Sequence, residues 1–422
     1  MTDHSVLLLA YGQSNADLYP AAPALPCEAF GDPRIVTFND GHAFRGLLGA
    51  SPLQEATALV PAGAASYETV KCRNYQSFQI AAAARLLHET GIGAPRHVIV
   101  RAEGRGGRRF HGTVAKNGLH VEGILSNVDG TDSQILLNLS SAIRISATLA
   151  LQAGAPLSRI IVNFVHGEAD RGTPKEIYRQ NLERLIDRVA GFAAEFDLPV
   201  HWLILDPAGT SSMGSGNNWH CRLAMREVAS SRSNAHLIGA GYAYPLDDLI
   251  HYTSEARVLF GEHFGTAAAH LLARDAGAKG DLGWMLDAPG PPQAFLRDST
   301  VELHLPGSTD FELIAGISDA ELTVEGFSAS HAARCRVIGV VQSGPRSVRV
   351  QLDQPPSMSA CASLDYAFQI VRRDDRRSDS PLPAGRGGWR SVRALDSMVL
   401  PGRRIHQWVP GFSIPFAEME QG

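Results

Sequence analysis

The hydrophobic period of this 422-residue chain changes once, near residue 280, and that change limits the folds open to it. Before it, short apolar runs alternate with longer segments of helical period, the pattern of βαβ units. Five runs read as strands: Ser5 to Leu9, His97 to Arg101, Arg159 to Val165, His201 to Leu205 and His236 to Ile238. Each is almost continuously apolar, as expected of strands covered on both faces. Candidate helices fall at Ser77 to Glu89, Ser133 to Ala153, Pro174 to Phe196, Trp219 to Ala229 and Ser254 to Arg274. For the third, Thr173 as cap, Pro174 first and Glu176 at the third position predict where it starts. The expected architecture over residues 1–280 is α/β with a doubly wound parallel sheet, and ligands of such sheets sit at the carboxyl ends of the strands.

After a turn-rich linker, Asp281 to Gln293, the period becomes that of strands. Val301 to Leu305, Phe311 to Ile314, Glu321 to Val324, Arg336 to Val341, Ser347 to Leu352 and Tyr366 to Val371 are short, rich in Val and Ile, and separated by turn residues. They predict an all-β, sandwich-like accessory domain over residues 291–422. Within it RRDDRRSDSPLPAGRGG reads as a solvated, mixed-charge loop. Trp389 and Trp408 could stack on a sugar, although a core position fits large aromatics better.

Composition narrows the function. Lys+Arg 38 against Asp+Glu 43, a net charge of -5, gives no general basic field for nucleic acid or an anionic membrane. Cysteines at 27, 72, 221, 335 and 361 are odd in number and form no CxxC pair, so neither a disulfide framework nor a zinc site is indicated. No run reads as approaching the ~18 apolar residues of a membrane span, and Ser5 to Ala10 is too short for a signal-peptide core. A soluble product, cytoplasmic as synthesised, is expected, with later release or virion association open; oligomeric state is not specified.

Four stretches at predicted strand ends carry chemistry. Gly12-Gln13-Ser14-Asn15 puts a small hydroxyl at a strand-to-helix turn, where Ser14 fits either a helix cap or a nucleophile beside backbone N–H groups. Asp248-Leu249-Ile250-His251 spaces an acid and an imidazole on one tight turn, so that Asp248 can orient a His251 that takes a proton. Arg101-Ala102-Glu103-Gly104-Arg105-Gly106-Gly107 supplies glycines able to approach an oxyanion; as a phosphate cradle it lacks the Lys-Ser/Thr ending. His166-Gly167-Glu168-Ala169-Asp170 offers a possible oxyanion donor at His166 and a loop-holding Glu168. Glu168 and Asp170 are too close in sequence to be an opposed glycosidase pair. Arg105, Arg108 and Arg109 could meet an acidic sugar, and His42, His111 and His120 fall in long loops. Asn74, Gln76 and Ser77 read as a helix-capping cluster.

Taken together, these blocks resemble the SGNH hydrolase superfamily, and within it the sialate O-acetylesterase-like carbohydrate esterases. Gly-Gln-Ser-Asn is similar to the nucleophile block. Asp248-x-x-His251, followed by Tyr252 and Ser254-Glu255, looks like the last block, Gly106-Gly107 like the glycine block, and His166-Gly167-Glu168 like Gln-Gly-Glu. The resemblance spans roughly residues 5 to 270 and implies a flavodoxin-like sheet. It further implies Ser14 as nucleophile, His251 as base and then acid, and Asp248 as its orienting partner. The N–H groups of Ser14 and of Gly106 or Gly107, with His166, would form the oxyanion hole; Gln13, Asn15, Glu168 and Arg105 would support the site or the substrate. Two departures stand out: Ala16 where Met is usual, and His166 where Gln is usual. The implied activity is removal of O-acetyl groups from a carbohydrate, without cofactor or metal. A general short-chain esterase or lipase on the same fold, and a non-catalytic carbohydrate-binding or virion tail component, are the alternatives.

Overall fold

The computed structural model describes residues 2–17, 23–40, 56–62, 76–208, 219–248, 250–275, 277, 283–316, 324–367 and 387–421. The first half is a mixed α/β unit. Its sheet contains β1 (Thr2–Gly12), β2 (Ile35–Phe38), β3 (Leu59–Pro61) and β4 (Pro95–Ala102); a two-stranded hairpin, β5 (Thr113–Val114) and β6 (His120–Val121), stands apart; β7 (Leu157–Val165), β8 (Val200–Asp206) and β9 (Ala235–Ala240) complete the sheet. The order is β3-β2-β4-β1-β7-β8-β9. All neighbours are parallel except β3, which pairs antiparallel with β2 at the edge.

Residue alternation along β1 explains the layering. Val6, Leu8 and Ala10 face one core with α1 (Phe78–Thr90) and α5 (Ser254–Asp275). Leu7, Leu9 and Tyr11 face the other, with α2 (Gln134–Gln152), α3 (Lys175–Ala194) and α4 (Trp219–Ser231). Both faces are covered, which is why the strands read as unbroken apolar runs. Ser77 caps α1 by accepting from the Gln79 amide, as its sequence position suggested, and Gln76 Oε1 accepts from the Leu25 amide; Asn74 and His42 lie outside the described residues.

Several expectations are corrected. The edge strands β2 and β3, four and three residues long, were too short to show as periodic runs. The cap predicted at Thr173 does not form: its hydroxyl donates to Asp170 Oδ1, Pro174 occupies the cap position without a side-chain bond, and Glu176 pairs with Arg179. Helix α2 is long and apolar enough to cross a membrane by length and composition, contrary to the sequence reading. Its Ile135, Leu136, Leu139 and Ile143 nevertheless pack in the α/β core. In the turn-rich linker, residues 283–285 form a 3-10 turn whose Met285 is buried, together with Leu286.

The second half is built from short strands: β10 (Gln293–Arg297), β11 (Thr300–His304), β12 (Phe311–Leu313), β13 (Phe327–Ala329), β14 (Val337–Gly344), β15 (Ser347–Leu352), β16 (Ser363–Tyr366), β17 (Trp389–Asp396), β18 (Arg404–Trp408), β19 (Phe412–Pro415) and β20 (Glu420–Gln421). They form sheets ordered β14-β15-β11-β10-β20, β12-β17-β18 and β13-β16-β19. Of the expected strands, residues 321–323 and 368–371 lie outside the described residues, as does most of the mixed-charge loop. Trp389 and Trp408 are both buried in the shared core of these sheets.

That core also takes in Ala240 and Tyr242 from the end of β9. Tyr242 Oη donates to the Val409 carbonyl at 2.6 Å. Buried Arg222 of α4 pairs with Asp206 at 3.2 Å and donates to the Ala367 carbonyl at 2.8 Å. The two halves therefore meet through buried, directional bonds, beside the carboxyl ends of β8 and β9.

Gly12 ends β1 at φ +135°, and a Cβ there would lie 2.1 Å from the Val165 carbonyl oxygen. Only glycine tolerates both the dihedral and the approach. Gly12→Ala should therefore lower unfolding stability by about 2 kcal/mol or more, in the range typical of strained backbone positions. Chemical denaturation of the two proteins checks this; a change below about 0.5 kcal/mol would contradict the account.

Candidate active site

Three strand ends converge on the turn after Gly12. The Gln13 amide donates to Val165 O at 3.2 Å, and the Arg105 amide donates to Gly12 O at 3.1 Å. The glycine block is thereby pinned against the turn carrying Ser14. A methyl built on Gly106 would sit 3.6 Å from the Ser14 Cβ, while Gly107 has φ +69° and open space where a Cβ would be. The backbone N–H groups of Ser14 and Gly106 have no partner among the described residues.

The loop after β9 brings the other two polar groups. His251 Nε2 lies 3.0 Å from Ser14 Oγ, and Nδ1 lies 2.8 Å from Asp248 Oδ2. Asp248 Oδ1 also accepts from the Ile250 and His251 amides, each at 2.6 Å. Partial burial pushes the Asp248 carboxyl up, but the bonds from the His251 ring and the two amides outweigh it and hold it well below the usual carboxylate range. An ionised Asp248 requires the proton on Nδ1, which leaves Nε2 as the acceptor facing the Ser14 hydroxyl. This is the arrangement in which a hydroxyl can be activated by removing its proton.

A buried network beneath the surface sets that 3.0 Å contact. Asn15, fully buried, donates through Nδ2 to Glu168 Oε1 and to the Ile250 carbonyl, both at 2.9 Å, and its Oδ1 accepts from the Tyr252 amide. One side chain thus ties the Ser14 turn to both flanks of His251. Gln13 Oε1 accepts from the Ala169 amide at 2.8 Å, joining the same turn to the loop after β7. Sequence reasoning missed Arg257, a fully buried residue in the first turns of α5. Its guanidinium donates to the carbonyls of Asp17 at 2.8 Å and of Asn15 and Ser14 at 3.4 Å. The available signal was an arginine six residues after His251 in an otherwise apolar helix face.

His166 is corrected as an oxyanion donor. Its Nε2 faces the Arg108 carbonyl at 3.1 Å, an acceptor only, so Nε2 carries the proton; Nδ1 then accepts from Tyr178 Oη at 2.9 Å. Burial pushes its pKa down and favours this neutral form. No ring N–H remains for a substrate. His166 instead fixes the backbone of the glycine block, and Asp170 Oδ2 does the same through the Phe110 amide. Arg105 is half-buried on that block, and its charge, after burial itself, pushes the neighbouring Arg108 pKa down. His111 is held by Ser126 and Asn181, and His120 is exposed on β6.

No family model and no curated protein matches the chain. Among solved structures, a carbohydrate acetylesterase from Xanthomonas citri, XAC1771, superposes with a TM-score of 0.59 at 14% identity, over 98% of this chain and 81% of that one. The two proteins share a fold. The structure of NanS aligns at a TM-score of 0.43 and 16% identity, over 65% of this chain and 99% of NanS. An Arabidopsis thaliana protein, AT4G34215, aligns at 0.42 and 17%, over 62% and 96% respectively. The fold shared with XAC1771 takes in almost the whole chain, the C-terminal sheets included.

Glu168 provides a check on the buried network. Burial pushes its carboxyl up to about 7 from the ordinary 4.5, against the bond from Asn15. In the folded protein it keeps its proton where the unfolded chain loses it. Its contribution to stability is thus complete below about pH 4.5 and is lost as pH rises through 7, by at most about 3 kcal/mol. Glu168→Gln keeps an oxygen for Asn15 but cannot ionise. Between pH 5 and pH 8 the variant should lose less stability than the wild type; parallel Tm-against-pH curves would show that Glu168 is ionised throughout.

Proposed function

We propose that the chain is a serine esterase of the SGNH type that removes O-acetyl groups from a carbohydrate. The observation that carries this reading is the continuous relay Ser14 Oγ, His251 and Asp248, with bonds of 3.0 and 2.8 Å, at the carboxyl ends of a parallel sheet. The order β4-β1-β7-β8-β9 has the 2-1-3-4-5 pattern of flavodoxin-like sheets, with β2 and β3 added at one edge. The carbohydrate part of the reading is supported by the block resemblance and by the fold shared with a carbohydrate acetylesterase.

In the proposed reaction His251 Nε2 takes the proton as Ser14 Oγ attacks the acetyl carbonyl. Negative charge on the carbonyl oxygen is met by the Ser14 N–H and the N–H of Gly106 or Gly107. Asp248 remains ionised and stabilises the imidazolium through Nδ1–H. His251 then gives its proton to the departing sugar hydroxyl. Water, deprotonated by the same nitrogen, cleaves the acetyl-enzyme and restores Ser14. Asn15 and Arg257 act as positioning residues, since neither has to touch substrate to keep Ser14 and His251 in register.

Ser14→Ala should reduce kcat/KM on acetylated sugars at least about 10⁴-fold, and Asp248→Asn by a similar order because it favours the wrong tautomer. A fluorophosphonate probe should label the wild type at Ser14 and spare the Ala variant. Full activity in Ser14→Ala would end the proposal. With p-nitrophenyl esters of rising length, activity should peak at acetate; a preference beyond butyrate would replace deacetylation with general esterase or lipase activity.

A further inference from the structure

Two clefts on the C-terminal half share one wall. The first, of about 730 Å³, is lined by Trp284, Thr309, Asp310 and Arg393 among others. The second, of about 600 Å³, is lined by Phe295, His304, Asp310 and Arg346 among others. Asp310 belongs to both, so they join into one trough. Both volumes lie in the range of small-molecule sites.

The chemistry of the trough is uneven in an informative way. Trp284 is part-buried at the cleft wall, and the exposed Arg393 lies with its guanidinium 5.2 Å over the indole, so an aromatic ring and a cation adjoin there. Phe295 and His304 form a second ring pair, edge-on at 5.5 Å, on the stretch also lined by Arg346. Aromatic planes cover the C–H faces of sugar rings, and planar guanidinium groups match carboxylates. Among the described lining residues Asp310 is the one carboxylate, sharing the first cleft with Arg393 and the second with Arg346, and its oxygens can accept from hydroxyl groups. The turn carrying Trp284 is held in advance: Gln407 Nε2 donates to the Trp284 carbonyl at 3.3 Å, and His263 Nε2 meets the Met285 carbonyl at 3.2 Å. A fixed aromatic loses little entropy on binding.

We infer that this trough binds a strand of acidic polysaccharide, presenting it to the protein at a site separate from Ser14. The inference extends the esterase reading to a polymeric, carboxylate-bearing substrate. Helix α5 joins the two places: Arg257 braces the Ser14 turn, and His270 lies against Gly283 at the trough. The helix rises about 20 Å between them, several sugar units of a chain. The trough also supplies what Trp389 and Trp408 cannot, since both are enclosed in the core.

The test is affinity electrophoresis of the full-length protein in gels containing polygalacturonate, polysialic acid or neutral dextran. The wild type should be retarded by at least one of the acidic polymers and not by dextran. Trp284→Ala, and separately the double variant Arg346→Gln/Arg393→Gln, should weaken that retention at least tenfold while hydrolysing p-nitrophenyl acetate at the wild-type rate. The double variant changes only exposed side chains and keeps the test valid should Trp284→Ala fail to fold. Retention of the double variant equal to wild type, equal retardation by dextran, or no retardation by either acidic polymer would overturn the inference. Failure of the esterase reading is a separate outcome: polymer retention with no p-nitrophenyl acetate hydrolysis by the wild type.

Discussion

The closeness of the Gly12 Cα to the Val165 carbonyl is the constraint on which the rest of the site depends. Where β1 ends, β4 lies on one side and β7 on the other, and the chain must turn sharply without losing its hydrogen bonds to either. A side chain at Gly12 would hold β1 and β7 apart and swing the next two residues outward. With glycine there, the Gln13 amide stays on the β7 ladder and the Gly12 carbonyl remains available to Arg105. Ser14 then emerges half-exposed beside the glycine block, and its position follows from main-chain geometry rather than from its own contacts.

Main-chain geometry alone does not bring His251 to Ser14, because the two are 237 residues apart in sequence. Two buried polar side chains bridge the gap from opposite directions. Asn15 reaches from the Ser14 turn to the His251 loop, and Arg257 reaches from the following helix back to the Ser14 turn. Each would be costly to bury without partners. Arg257 meets three carbonyls, and both Asn15 donor hydrogens are used. Buried networks of this kind fix one geometry over its alternatives, because a shift breaks several of these bonds at once in a place water does not reach. Glu168 belongs to the same logic, with burial favouring its protonated form while Asn15 favours the charged one.

Much of this was legible in the sequence where one residue or one period decided the matter. The five central strands could be read because both faces of the sheet are covered, Ser14 because it falls two residues past the end of β1, and Asp248 and His251 because of their spacing in the loop that follows β9. What could not be read depended on partners far away in the chain. His166 looked like a donor until the Arg108 carbonyl and the Tyr178 hydroxyl fixed its tautomer. Thr173 looked like a cap until Asp170 captured its hydroxyl. Strands β2 and β3 are stabilised by the sheet edge they extend, and three or four residues carry no period of their own.

The same long-range dependence explains why α5 is buried almost all round, although it begins at the site and runs to the opposite end of the sheet. A helix lying on an open sheet should keep a polar face toward water. Here Glu262 on that outer side accepts from the Ser397 hydroxyl and the Met398 amide of the C-terminal half, and also meets Arg85 of α1. The C-terminal sheets thus supply polar partners that water would otherwise provide, and they hold the helix carrying Arg257 from outside. Register between Ser14 and His251 is consequently set from three sides: by glycine at the strand end, by Asn15 across the two loops, and by a helix that the second half of the chain also holds through Glu262.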